Sequence, residues 1–223
     1  MGKRKYALII GGTSGLGHEL GKLLQEKYSV LTTGRHDIQK NLPFEHFDLT
    51  APMIGKMFER VLERFNRLDL LVYAAGFHQE GMIDELGDAR IEEMIRVQLT
   101  APSILLSKIL KKWAVLPGFV GITSTSEWVP RLREPVYAAT KRGFAALAES
   151  VSLDPRVKKT LVVAPSGMNT NFWRDKPSIA EKLLDPRWVA EETLRLLEER
   201  PYAYRHAKIL RDPPRVLIDE TRI

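Results

Sequence analysis

The sequence contains no cysteine. Disulfide scaffolds, thiolate zinc sites, iron–sulfur clusters and a cysteine nucleophile are thereby excluded, and a reducing cytoplasm is the expected compartment. Long apolar runs are missing as well. None approaches the ~18 residues of a membrane span, so a soluble protein with no membrane partner is expected. Gly2-Lys3-Arg4-Lys5 imitates the basic start of a signal peptide, but the apolar run behind it, Ala7–Ile10, is four residues long, and a signal needs about 7 to 15. Tyr6 stands where a myristoylation signal carries Ser or Thr. There is no long block of like charge either. The net charge of +6 comes from 34 Lys and Arg scattered among 28 acids, with no basic stretch interleaved with aromatics, so no nucleic-acid partner is expected.

What is present is an ordinary globular mixture, 44% hydrophobic and 28% charged, which excludes wholesale disorder in the 223 residues. Short apolar runs alternate with helical periods. Strands are read at Tyr6–Ile10, Ser29–Thr33, Phe44–Phe47, Leu68–Ala75, Phe119–Thr123, Thr160–Ala164 and Ala207–Leu210. Amphipathic helices are read after Leu16, from Met53 to Phe65, from about Asp88 to Trp113 and from Pro135 to Leu153. The alternation predicts one α/β domain of the Rossmann type: a doubly wound, mostly parallel, seven-stranded sheet with helices on both faces. Residues 165–200 are read as a substrate loop and lid, and 201–223 as a C-terminal strand and tail. Between Arg35 and Pro43 there is no room for a crossover helix.

The first strand runs into Gly11-Gly12-Thr13-Ser14-Gly15-Leu16-Gly17 and then a helix. Glycines at such a junction permit a tight turn and let the backbone approach a pyrophosphate, which the helix N-terminus attracts. This predicts dinucleotide binding. The Gly-x3-Gly-x-Gly spacing of Gly11, Gly15 and Gly17 resembles the short-chain dehydrogenase/reductase family, with Ile10 in place of the family's Thr. The resemblance runs from about Tyr6 to Ala190. It implies a nicotinamide cofactor contacted by Gly11, Thr13, Ser14, Gly15, Leu16 and Gly17. Further along it implies contacts from Asp48-Leu49, from Ala74-Ala75-Gly76, and from Pro165, Met168 and Thr170. Tyr73 and Ala74 depart from the family's Asn-Asn, and Ser166 from its glycine. At the end of the second strand Gly34 occupies the place of a ribose-binding carboxylate, and Arg35 suits a 2′-phosphate, so NADP is expected over NAD. Asp37, two residues on, is the acid that would reverse the preference. Asp48 has a turn or helix-cap role as its alternative, with Thr50 the better N-cap.

Tyr137 and Lys141 stand at i and i+4 at the start of a helix, on one face. A neighbouring ammonium would lower the phenol's ordinary pKa of about 10. Thirteen residues before Tyr137 lies Ser124, at the end of the fifth strand, among Thr123, Thr125 and Ser126. The resemblance implies that Tyr137 is the general acid or base, that Ser124 holds the reacting oxygen, and that Lys141 binds the nicotinamide ribose and tunes Tyr137. Gln98 takes the place of the family's water-holding Asn.

The expected substrate is a small carbonyl or alcohol. It would lie between Glu127–Arg133 and the loop Asn171–Asp185, where Phe172 and Trp173 suit an apolar group; Arg131, Arg133 and Arg174 could receive a carboxylate, but packed or solvated loop roles are the favoured reading of these arginines. His78 and Glu80 are read as rim residues and no metal is expected. The resemblance also implies a homodimer or homotetramer, with Val216-Leu217-Ile218 as an apolar strand open to a neighbour. A non-catalytic NAD(P)-binding sensor is the alternative reading, which an intact Ser124–Tyr137–Lys141 set opposes.

Overall fold

The apolar run near the N-terminus is strand β1, Lys5–Ile10, whose last four residues are inaccessible to solvent. The computed structural model describes residues 4–37, 41–78, 80–170 and 183–223. β1 pairs with β2 (Tyr28–Gly34) on one side and β4 (Leu70–Tyr73) on the other, both parallel. β3 (Phe44–His46) lies outside β2. On the opposite side β4 is followed by β5 (Phe119–Ile122), β6 (Thr160–Pro165) and β7 (Tyr204–Arg211), all parallel. The strand order is thus β3-β2-β1-β4-β5-β6-β7, closed by β8 (Pro214–Arg222), which runs antiparallel to β7. The order reverses between β1 and β4, so their carboxyl ends open a crevice where helices leave in opposite directions.

Alternate residues of the strands feed two apolar layers. Leu8 and Ile10 of β1 join Leu71, Phe119, Phe58, Leu105 and Phe144 under helices α2 (Ile54–Glu63), α4 (Ala101–Lys112) and α5 (Pro135–Val151). Ala7 and Ile9 join Val72, Val120, Leu161, Leu20 and Leu196 under α1 (Gly15–Leu24) and α6 (Pro186–Glu198). Burial on both faces is what the continuous apolar runs encode.

Four readings change. The sheet has eight strands, because Pro214–Arg222 folds back on β7 as an edge strand. Residues 186–198, read as part of a substrate loop, form α6, started by Asp185, whose carboxylate accepts from the Arg187 N–H at 2.7 Å. The helix expected from Asp88 to Trp113 is interrupted: α3 (Asp88–Ile95) passes through a π turn, Arg96–Thr100, before α4. Pro102 has no N–H for the carbonyl four residues back, that of Gln98, and the helix widens there. Finally, Thr50 does not start α2; its N–H and hydroxyl both bond the Asp48 carboxylate, at 2.9 and 2.7 Å. The helix-poor β2–β3 connection is as expected among the described residues, and β3 remains partly exposed.

Candidate active site

A cavity of roughly 530 Å³ occupies the crevice at the strand ends. Its floor is the loop between β1 and α1. Gly11 and Gly15 have φ of 84° and 54°, which only glycine adopts without strain. At Gly17 a Cβ would stand 2.2 Å from the Gly11 carbonyl oxygen, so loop and helix pack at backbone contact. The N–H groups of Gly11 and Gly12 both bond the Thr33 carbonyl at 3.1 Å, which anchors the loop with Ile10 buried in the core. Ser14 precedes α1 in extended conformation without a side-chain cap. The first-turn N–H groups are thereby left to an anion. Thr13, Leu16 and the Thr170 side chain complete this end, the Thr170 methyl lying 3.2 Å from where a Cβ of Gly15 would be.

Arg35, Asp48 and Leu49 line one flank, while Asp37 is not part of the wall. Burial pushes the Asp48 carboxyl up, but the two Thr50 bonds and the Arg35 charge outweigh it and hold the group below its ordinary value. Ala74, Ala75 and Gly76 follow β4 across the middle, and Pro165 and Met168 come from the end of β6. Met168 is strapped beside Leu184, with the Asn169 N–H donating to the Leu184 carbonyl at 2.8 Å.

The far end holds Ser124, Tyr137 and Lys141. Ser124 ends β5 and opens a 3-10 turn, Thr125–Glu127, accepting from the Ser126 N–H at 3.2 Å. Tyr137 and Lys141 sit one turn apart on the buried face of α5. Ser124 and Tyr137 line the same end of the cavity, and the Ser124 hydroxyl favours the ionised form of Tyr137. The Lys141 ammonium donates to the Ile122 carbonyl at 3.3 Å and lies 5.6 Å from the Tyr137 ring centre. Burial drops Lys141 to about 8, with the Glu127 charge pulling the other way. The expected lowering of Tyr137 is not found. Burial pushes it up to about 12, against the pull of the Ser124 hydroxyl, because the phenolate would have to form away from water.

Every residue expected to act in catalysis or to contact the cofactor lines this cavity except Gln98. Gln98 is carried by the π turn behind the wall, 1% exposed, with Nε2 donating to the Thr140 hydroxyl at 3.3 Å. Its Oε1 lies 2.8 Å, and the Lys141 Nζ 3.3 Å, from where a Cβ of Gly76 would stand. Both groups thus pack close to that glycine, and the Gln98 Oε1 has no hydrogen-bond partner among the described residues. The fit of a dinucleotide rests on this geometry: a glycine cradle at a helix start, and a buried Tyr–Lys pair at the other end of one continuous cavity.

A family model described as short chain dehydrogenase matches residues 5–179. The chain belongs to the short-chain dehydrogenase family. An uncharacterized oxidoreductase of Staphylococcus epidermidis is 24% identical over 82% of this chain and 89% of its own. A 3-oxoacyl-[acyl-carrier-protein] reductase of Buchnera aphidicola is 27% identical over 78% of this chain and 77% of its own. Among solved structures, an alcohol dehydrogenase of Thermococcus sibiricus, complexed with 5-hydroxy-NADP, superposes with a TM-score of 0.76 at 24% identity, covering 88% of this chain and 91% of that one. This short-chain dehydrogenase is an NAD(P)-dependent oxidoreductase.

On the substrate side of the dehydrogenase, Arg131 and Arg133 are taken up by ion pairs within the protein. Arg131 lines the cavity but is occupied: it bonds Ser126, the Thr125 hydroxyl at 2.9 Å and the Glu134 carboxylate at 3.0 Å. Burial pushes Glu134 up, yet the bonds from Ser126 and Arg131 and the nearness of His78 hold it at about 2. His78 stands 3.2 Å from Glu134 and edge-on to the Tyr137 ring, 5.2 Å between centres. Arg133 turns away to Glu80 and Glu85 at 3.6 and 3.0 Å. Phe172, Trp173 and Arg174 lie outside the described residues. Glu134 is one of the lining residues that sequence reasoning missed, with Phe77, Glu93 and Arg211. Its i+3 spacing from Arg131, just before Pro135, was the available signal. No helix among the described residues is long and apolar enough to cross a membrane.

Proposed function

We propose that this dehydrogenase interconverts a small, uncharged carbonyl compound and its alcohol with NADP, using Tyr137 as general acid or base. The observation that carries this is that Ser124, Tyr137 and buried Lys141 line one end of the same cavity as the glycine loop. When bound, the nicotinamide cofactor supplies or accepts the hydride. A carbonyl oxygen seated between the two hydroxyls receives a hydrogen bond from Ser124 as negative charge develops on it. Tyr137, held protonated by burial, gives up its proton to that oxygen, and the Lys141 ammonium one turn on stabilises the phenolate left behind. This favours carbonyl reduction at neutral pH. Gln98, behind Gly76 and beside Lys141, steadies that end of the site without touching the substrate.

Arg35 in the cavity wall, with Gly34 where a carboxylate would stand, supports NADP over NAD, and so does the position of Asp37, which does not line the cavity. The pairing of Arg131 with Glu134 supports an uncharged substrate, since the guanidinium is already neutralised. The same reading takes the enzyme to be a cytoplasmic homodimer or homotetramer, which light scattering tests.

The test is a panel of small aldehydes and ketones with NADPH consumption as readout. Tyr137→Phe should lose about 10² to 10⁴ in turnover with cofactor affinity retained. A Tyr137→Phe enzyme as active as the parent would end the assignment.

A further inference from the structure

The two hydroxyls assigned to the carbonyl oxygen reach the cavity from different elements. Ser124 opens the 3-10 turn behind β5, and Tyr137 sits in the first turn of α5. Residues 128–134 join the two without helix or strand. Glu134 is the last residue before α5, yet its carboxylate does not cap the helix. It turns to the cavity wall instead, where Oε2 accepts from the Ser126 hydroxyl at 2.7 Å and from Arg131 Nη1 at 3.0 Å. Ser126 in turn touches Ser124: its N–H donates to the Ser124 hydroxyl at 3.2 Å, and the two hydroxyls lie 3.3 Å apart. Arg131 adds a second prong to the same turn, with Nη2 donating to the Thr125 hydroxyl at 2.9 Å. The other carboxylate oxygen, Oε1, lies 3.2 Å from His78 Nε2, and the His78 ring stands edge-on to the Tyr137 ring. The segment that carries His78 is tied to the same loop by the Gly81 N–H, which donates to the Arg133 carbonyl at 2.9 Å. One carboxylate thus meets the neighbour of Ser124 on one side and the neighbour of Tyr137 on the other.

We propose that Glu134 is a positioning residue: through Ser126 it sets the Ser124 hydroxyl, and through His78 the Tyr137 ring, so that one carbonyl oxygen can meet both. The inference rests on the roles given above to Ser124 and Tyr137, and it gives Glu134 no contact with the substrate. A loop without regular structure does not by itself hold two hydroxyls to a fraction of an ångström. Hydrogen-bonded supports do, and small misplacements of reacting groups are expensive in rate. The Glu134 and His78 side chains are only 13% and 12% exposed, and Arg131 supplies the countercharge that such a carboxylate requires. What the clamp uses is reach and acceptor geometry. Ser126 and Arg131 share one oxygen, and the other arm faces His78. An amide of the same length can fill both places; a shorter carboxylate cannot.

The experiment is steady-state carbonyl reduction by the full-length enzyme, with NADPH affinity by fluorescence and the melting temperature measured alongside. Glu134→Ala should lower kcat and kcat/KM by the same factor, roughly ten- to hundredfold, with NADPH affinity retained. Glu134→Asp keeps the charge but falls one methylene short, and should behave like Glu134→Ala. Glu134→Gln keeps the length and an acceptor oxygen, and should recover most of the loss even where it lowers the melting temperature. A purely structural residue would instead make turnover follow the melting temperature across the three variants. A Glu134→Gln enzyme as slow as Glu134→Ala would overturn the proposal, since charge rather than placement would then decide. Ser126→Ala cuts the link to Ser124 and should lower kcat in the same way. The double variant should be no slower than Glu134→Ala alone, and losses that multiply would also overturn the proposal. Should Glu134→Ala fail to fold, Ser126→Ala with the parent's turnover decides against it. If Tyr137→Phe retains activity, the catalytic reading falls first. If Tyr137→Phe is inactive while Glu134→Ala and Ser126→Ala turn over like the parent, the clamp alone is wrong.

Discussion

The Tyr73 hydroxyl donates to the main-chain carbonyl of Val97, tying the end of β4 to the π turn that carries Gln98. Tyr73 is fully buried and burial holds its phenol far from ionisation, so it is a permanent donor. A π turn frees carbonyls from the regular ladder, and this bond satisfies one of them. Tyr73→Phe should cost about 1 to 3 kcal/mol of stability, the penalty of an unsatisfied buried carbonyl. Turnover should fall while NADPH affinity is retained. Urea unfolding with paired kinetics checks both.

Gly17→Ala brings a methyl to 2.2 Å from the Gly11 oxygen, and only backbone displacement can relieve it. The expected result is NADPH binding weakened by tenfold or more, about 1.4 kcal/mol. The substrate-side residues are untouched. Fluorescence titration of NADPH measures the loss, and unchanged affinity would contradict the cradle.

Arg35→Ala should discriminate between cofactors. Losing charge-assisted bonds to a 2′-phosphate costs about 1.5 to 3 kcal/mol, hence roughly ten- to hundredfold for NADPH. NADH, which has no such phosphate, should bind unchanged. Equal losses for both would assign Arg35 to the pyrophosphate or to loop structure.

Glu134 gives an acid-side signature. Its carboxyl falls from an ordinary 4.5 to about 2 on folding, so the stability it contributes is fully present above pH 4.5 and disappears as pH falls toward 2. Glu134→Gln should flatten the pH dependence of the melting temperature in that window. An unchanged acid slope would mean that the bonds from Ser126 and Arg131 do not hold the charge.

Much of the site was legible because its signals are local. The glycines from Gly11 to Gly17 and the pair Tyr137–Lys141 each sit within a few residues, on elements whose apolar periods are plain. Ser124 needed only the distance between one strand end and the next helix. What was illegible depends on distant partners or on one atom. Tyr73 read as a mere departure from a family Asn, since its partner Val97 is 24 residues away. The π turn follows from one missing N–H, that of Pro102, within a helix whose apolar spacing otherwise continues. Helix α6 was readable: Asp185-Pro186 is a start signal, and Val189, Thr193 and Leu196 keep its period. The aromatics upstream drew attention to a lid instead.

The sheet ends in an antiparallel strand of nine residues, β8. β7 is a buried parallel strand, its residues Tyr204 to Ala207 closed to solvent, and its outer row of N–H and C=O groups is covered by β8. β8 in turn starts with Pro214 and carries Arg215, Asp219, Glu220 and Arg222 along an exposed edge, with Leu217 and Ile218 about half exposed between them. Proline and interspersed charge discourage a further strand from adding. The hairpin thus works as a stopper: a sequence cut before Pro213 would present the sticky edge of β7 to every other chain in solution, and insolubility would precede any measurable loss of chemistry.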